Sequence, residues 1–203
     1  MHEFVAGRPV WLLGLDGVLD GRWSKEELPT FDLSWLDDSF GDQRWYPALV
    51  SVIASAVERG IDVRWLTSFH VAVALRAYVD ATPLPELPVL TEELLPDGYV
   101  FPGGGWTGTA GRVMWEADLV RHAVPDTSPL LWTPGWSYLS ESSAYQCGDP
   151  ARGRRPADVI DSRSGATTIL LPKANPRLSY MTKGDLKTVD RWIARHGTEQ
   201  ASG

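Results

Sequence analysis

Pro9-Val10-Trp11-Leu12-Leu13-Gly14-Leu15-Asp16-Gly17-Val18-Leu19 is the stretch on which the fold turns. The apolar run Val10 to Leu13 passes at once into Gly14, one apolar residue and Asp16-Gly17. A short apolar run closed by a turn signal reads as a fully buried strand that delivers a carboxylate to a loop. In an open α/β sheet, ligands bind outside the carboxyl ends of the strands. Gly14, Asp16 and Gly17 are therefore candidate site residues. The plainer reading of the same residues is a core strand with a glycine turn after it.

Outward from this strand, helices and strands alternate. Pro47 to Gly60 reads as a helix, with Pro47 in the first turn, where its missing N–H costs nothing, and Gly60 as the stop. Leu49, Val50, Ile53 and Val57 recur at helical spacing, and Ile61 to Leu66 follows as a second strand. A second helix is expected over about 70–80, then a short strand over Pro88–Leu90. Residues 96–111 read as a glycine-rich loop, 112–123 as a helix, and Pro129 to Thr133 as a further strand. Thr167 to Leu171 reads as the last strand. Thr182-Lys183-Gly184-Asp185 resembles a capping box with Asp for Glu, opening a helix whose apolar face is Leu186, Val189, Trp192 and Ile193 and which Gly197 closes. Such alternation predicts one three-layer α/β domain with a parallel sheet over 1–203 and a frayed tail over 198–203.

Two segments fall outside this rhythm. Residues 20–42 read as irregular and acidic, seven acidic residues standing against Arg22 and Lys25. A solvated face is the plain account, while Trp23, Phe31, Trp35 and Phe40 give the segment apolar anchors with which it could fold down as a flap. Residues 134–165 form a polar excursion too long for an ordinary connection, so the segment is expected to be functional, or flexible, or to contain further elements of structure.

Composition bounds the function. The 203 residues carry 43% apolar and 22% charged side chains, ordinary for a globular domain, but ten tryptophans, which is not. A net charge of −7 disfavours non-specific binding to nucleic acid or an anionic membrane. Cys147, the single cysteine, rules out an internal disulfide and a cysteine zinc cluster. No apolar run reaches the ~18 residues of a membrane span, and Met1-His2-Glu3-Phe4 lacks a basic region ahead of an apolar one. A cytoplasmic protein whose partner is a small molecule or another protein is expected, with neither nucleic acid nor membrane.

An apolar strand followed by Asp-x-Asp-Gly-[Thr/Val]-Leu is the first motif of the haloacid dehalogenase-like (HAD) hydrolases, and Asp16-Gly17-Val18-Leu19 resembles its second half. Gly14 occupies the position of the family's nucleophilic Asp, and Asp16 that of its general acid/base. Trp65-Leu66-Thr67-Ser68-Phe69 resembles the second motif, with Thr67 at the position of the hydroxyl that binds the transferring phosphoryl group. The third motif supplies a Lys or Arg. In small actinobacterial and phage relatives this Lys follows a Trp, whereas the matching pair here is Trp115-Glu116, with Arg112 one helical turn earlier as a candidate substitute. The fourth motif, a strand ending in an acidic pair, is matched by Pro129-Leu130-Leu131-Trp132-Thr133-Pro134-Gly135, which keeps the strand and loses both acids. Thr168 to Leu171, Asn175-Pro176-Arg177-Leu178 and Leu186 to Trp192 resemble the end of the HAD domain of Swiss Army Knife RNA-repair systems. Over about 9–196 the resemblance implies a Rossmann-like HAD core, strand order 3-2-1-4-5, with 20–42 as a minimal cap or flap.

The same resemblance argues against the family's usual chemistry. Phosphoryl transfer to a carboxylate needs an in-line nucleophile and cationic charge on the phosphate oxygens. Mg²⁺ needs hard oxygen ligands, usually carboxylates. Gly14, Pro134 and Gly135 stand at the places of nucleophile and metal acids, and Glu116 stands where a cation belongs. A binding or regulatory pseudoenzyme without phosphatase activity and without a cofactor is the first expectation. A metal-independent enzyme is the second, with Asp16 as general acid/base in a pocket bordered by Trp106, Trp115 and Trp136. A residual Mg²⁺ phosphohydrolase is the third, with Mg²⁺ held by relocated acids such as Asp149, Asp158 or Asp161. Thr67 is the second candidate catalytic residue; Gly14, Gly17, Ser68, Arg112, Thr133, Trp106 and Trp136 are the candidate binding residues, and no metal ligand is assigned. The four histidines show no ligand spacing, and Gly103-Gly104-Gly105 lacks the Lys-Ser/Thr of a phosphate-binding loop. Trp11, Trp65 and Trp132 are expected in the core.

Overall fold

The computed structural model describes residues 3–14, 29–32, 42–67, 75–76, 79–99, 109–133, 163–170 and 181–198. Its centre is a five-stranded parallel sheet of β1 (Val10–Leu13), β4 (Asp62–Leu66), β5 (Val89–Leu90), β6 (Leu130–Thr133) and β7 (Thr167–Ile169), in the order β5-β4-β1-β6-β7. Numbered along the chain, that is the expected order 3-2-1-4-5. The sheet is flanked by α1 (Pro47–Glu58) and α3 (Lys183–His196), which pack together, and by α2 (Thr109–Ala123).

Side-chain alternation along the strands builds two cores, one on each face of the sheet. Trp11, Leu13, Val63, Trp65 and Leu131 face Leu49 and Ile53 of α1 and Leu186, Val189, Trp192 and Ile193 of α3. Val10, Leu12, Leu66, Leu130 and Trp132 face Trp115, Leu119 and Val120 of α2. The two sets interleave residue by residue, so every residue of β1 is fully buried. That is why the run reads as continuously apolar rather than alternating. Trp11, Trp65 and Trp132 are core residues as expected, each at 0% exposure.

The helix ends follow their sequence signals. At the end of α1, Gly60 sits at φ +77, a conformation that L side chains resist. There the amide of Gly60 donates to the Val57 carbonyl and that of Ile61 to the Ala56 carbonyl. Both halves of the capping box of α3 are present: the Asp185 amide donates to Thr182 Oγ1 at 3.3 Å, and the Thr182 amide donates to the Asp185 carboxylate at 2.8 Å. Leu186, Val189, Trp192 and Ile193 form its buried face.

Two local expectations need correction, and one element was not expected. Residues 20–42 are not irregular throughout: Thr30–Asp32 (β2) pairs antiparallel with Asp42–Arg44 (β3). Strands of three residues are too short to show a period of two in the sequence. The helix α2 begins at Thr109 rather than 112 and takes in Gly111. Glycine inside a helix costs about 1 kcal/mol, and the buried Trp115, Leu119 and Val120 face supplies packing that exceeds it. A 3-10 turn over Glu92–Leu94 had no sequence signal. Of the expected helix over 70–80, Leu75, Arg76 and 79–81 are helical, and the remaining residues lie outside those described.

One buried side chain fixes the approach to β7. Arg163 donates to the carbonyls of Val124 and Pro125, each at 2.8 Å, and of Ser128 at 3.0 Å, tying the entry of β7 to the end of α2. Burial lowers its pKa, and the nearby Asp126 carboxylate opposes that shift. Beside it, a Cβ on Gly165 would lie 2.7 Å from the carbonyl oxygens of both Asp126 and Ser128, so only glycine fits.

Candidate functional site at the carboxyl edge of the sheet

Three of the predicted site residues meet at one edge of the sheet. The parallel register places Leu13 opposite Trp65 on one side and Thr133 on the other. Gly14 continues the ladder, its amide donating to the Thr133 carbonyl at 2.8 Å. Thr67 continues β4, its amide donating to the Leu90 carbonyl at 3.1 Å. Gly14, Thr67 and Thr133 thus stand at the carboxyl ends of the three central strands, where α/β sheets take ligands.

The alternation separates them by face. Thr133 follows Leu131, and Thr67 follows Trp65, by two residues, so both threonines belong to the α1/α3 face. Gly14 follows Leu12 by two residues and takes a register position on the α2 face. Gly14 and the threonine hydroxyls therefore share an edge but not a face.

The two threonines, one on each side of β1, are both 0% exposed and differ in how their hydroxyls are satisfied. The Thr133 hydroxyl donates to the Leu12 carbonyl at 3.1 Å and accepts from Trp11 Nε1 at 3.1 Å. That chain locks β6 to β1 and satisfies the buried indole N–H. Thr67 Oγ1 has no hydrogen-bond partner, and neither has the indole N–H of Trp65 two residues before it. Leaving a buried polar group unpaired costs about 1–3 kcal/mol. The Trp65 N–H was missed by sequence reasoning, because a tryptophan inside an apolar strand reads as volume, not as a donor.

Of the remaining predicted residues, Asp16, Gly17, Ser68, Trp106 and Trp136 lie outside the described residues, as do Asp149, Asp158 and Asp161. Arg112 belongs to α2 by its backbone, and its side chain lies outside the description. Trp115, at 1% exposure, packs against Leu119 and Val120, anchoring α2 rather than lining an open surface. Glu116 is buried at 4% exposure.

The donors described at this edge do not fit the Mg²⁺ ion that the resemblance implies. Gly14 brings no side chain, the Thr133 hydroxyl is committed to Leu12 and Trp11, and Thr67 is a neutral hydroxyl. A hard divalent cation requires anionic oxygens, and none of these three supplies one. Among the described residues, no group of three or more His, Cys, Asp or Glu side chains converges as a metal site. No described helix is long and apolar enough to cross a membrane.

Comparison of the chain with protein-family models, curated proteins and solved structures finds no match in any of the three.

Proposed function

We propose that this chain is a HAD-type scaffold that binds a ligand or partner and has lost phosphoryl transfer. The observation that carries the reading is the place of Gly14. It directly follows the central strand β1, its amide bonded to the Thr133 carbonyl, at the carboxyl edge where a HAD enzyme presents its nucleophile. Glycine has no group that can attack phosphorus, and losing one member of a catalytic set removes several orders of magnitude of rate. The hydroxyl of Thr133 supports the same reading, since it is tied to the Leu12 carbonyl and accepts the Trp11 indole N–H inside the fold. On this reading Asp16-Gly17 serves the turn after β1, and the parallel sheet serves as a rigid platform.

Thermal melts with and without millimolar Mg²⁺, each repeated with inorganic phosphate, test the proposal. A ligand that binds only the folded state raises the melting temperature by mass action. The expected result is no Mg²⁺-linked rise. A rise that needs Mg²⁺ and phosphate together, and that Asp16→Asn abolishes, would contradict the proposal.

A further inference from the structure

We infer that Thr67 and Trp65 form a hydrogen-bond-donating floor for the ligand, and that the group they receive is an uncharged acceptor oxygen of the carbonyl type. This rests on the reading of the carboxyl edge as a binding site. Both residues are fully buried, they lie two apart along one strand, and alternation gives them the same face. Neither Thr67 Oγ1 nor Trp65 Nε1 has a partner. Native proteins satisfy nearly all such groups, so a pair of unsatisfied donors at a sheet's ligand-binding edge calls for a specific cause.

The neighbouring strands supply an internal comparison. On β1 and β6, a tryptophan N–H and a threonine hydroxyl meet, and the set closes on the Leu12 carbonyl. The same two residue types on β4 lack that acceptor. The indole N–H can only donate, so whatever completes the set must bring an acceptor. A carbonyl oxygen has two lone pairs and can accept from both donors, or from the Thr67 hydroxyl alone with the indole N–H donating to that hydroxyl, as the Leu12 carbonyl accepts from Thr133. Charge excludes the alternatives. Neither donor is bonded to an ionised side chain, and the described residues at this edge, Gly14, Thr67 and Thr133, bring no cation, so a buried phosphate or carboxylate would lose its hydration without a paired cation among them. An ammonium group brings no acceptor at all. The indole N–H groups of Trp115 and Trp192 are also unpaired. Trp115 belongs to the opposite face and Trp192 to α3, and neither has a second unpaired donor two residues away on its own element.

The test uses the indole N–H resonances of the full chain in a ¹⁵N–¹H spectrum, with the Trp65 signal identified by its loss in Trp65→Phe. The probes are acetamide, inorganic phosphate and methylammonium. Acetamide is expected to move the Trp65 signal saturably downfield. Thr67→Val should weaken that response at least tenfold and Thr67→Ser should restore it, while phosphate and methylammonium leave the signal in place. An absent or unsaturable acetamide response, one of equal strength in Thr67→Val, or a response to phosphate would overturn the inference. Failure here is separable from failure of the proposed function. A silent Trp65 signal in a protein without phosphatase activity sinks only this inference, and Mg²⁺-dependent turnover sinks only the other.

Discussion

Replacing each of the two edge threonines by valine should have opposite effects on stability. Valine has the shape of threonine and the same branched, single-rotamer preference, so the substitution exchanges a hydroxyl for a methyl with little repacking. At position 67 the hydroxyl is fully buried and bonds to nothing. Removing it relieves an unsatisfied group, worth about 1–3 kcal/mol by itself, and adds a buried methyl worth about 0.8 kcal/mol. Burial already present in the unfolded chain offsets part of this, so Thr67→Val should gain about 1–2 kcal/mol. At position 133 the hydroxyl holds two bonds of 3.1 Å, and valine there strands the buried Trp11 N–H and removes the side-chain bond to the carbonyl of Leu12, a residue of the β1–β6 ladder. Thr133→Val should lose about 1–3 kcal/mol, the cost of leaving the buried Trp11 N–H unpaired. Urea unfolding followed by tryptophan fluorescence measures both, with unchanged slopes showing that only the folded state has been altered. Equal losses at the two positions would refute the claim that the Thr67 hydroxyl is unsatisfied. A neutral Thr133→Val would refute the bonded chain across β1 and β6. A gain at Thr67→Val joined to a loss of ligand response is the usual trade at a binding site, where unsatisfied groups persist because the ligand needs them.

Two further predictions concern the frame around the edge. Arg163→Ala removes three charge-assisted bonds to the carbonyls of Val124, Pro125 and Ser128. It should cost about 3–5 kcal/mol in urea unfolding. Arg163→Lys should recover only part of this, because an ammonium lacks the planar fork; a loss under about 1 kcal/mol for the alanine variant would show that water replaces the guanidinium. His196, whose ring centroid lies 4.8 Å from that of Trp192, has its pKa lowered first by burial and then by the charge of Arg195. The unfolded chain therefore takes up this proton at a higher pH than the folded one, and stability falls as the pH drops from the ordinary histidine value toward the lowered one. His196→Gln should flatten that part of the stability–pH curve measured by urea unfolding, and an unchanged slope would remove His196 as its source.

What the sequence made legible was whatever depends on local patterning and on long-range burial of apolar runs. Val10 to Leu13 announced a strand buried on both faces because no polar residue interrupts it, whereas the strand order was implied only by the family resemblance and agrees with the order observed. The capping box at Thr182 was readable because its four residues specify their own bonds. The β2–β3 pairing escaped because three-residue strands carry no period. The Arg163 clamp escaped because its partners are backbone carbonyls some 35–39 positions away, to which no residue type is a guide. The sequence put Gly14, Thr67 and Thr133 at strand ends, and the structure brings those three ends together at one edge of the sheet. Sequence could not distinguish the bonded threonine from the unbonded one, since that depends on which neighbouring strand offers a carbonyl within reach.

The central claim is that the scaffold persists without phosphoryl transfer, and hydrolysis of an aryl phosphate in the presence of Mg²⁺, with Asp16→Asn as the paired control, tests it most directly. The account predicts the same rate for both proteins and no dependence on Mg²⁺. Turnover that requires Mg²⁺ and disappears in Asp16→Asn would contradict it, and would mean that a working metal and phosphate site has been assembled around Asp16 without a carboxylate at position 14.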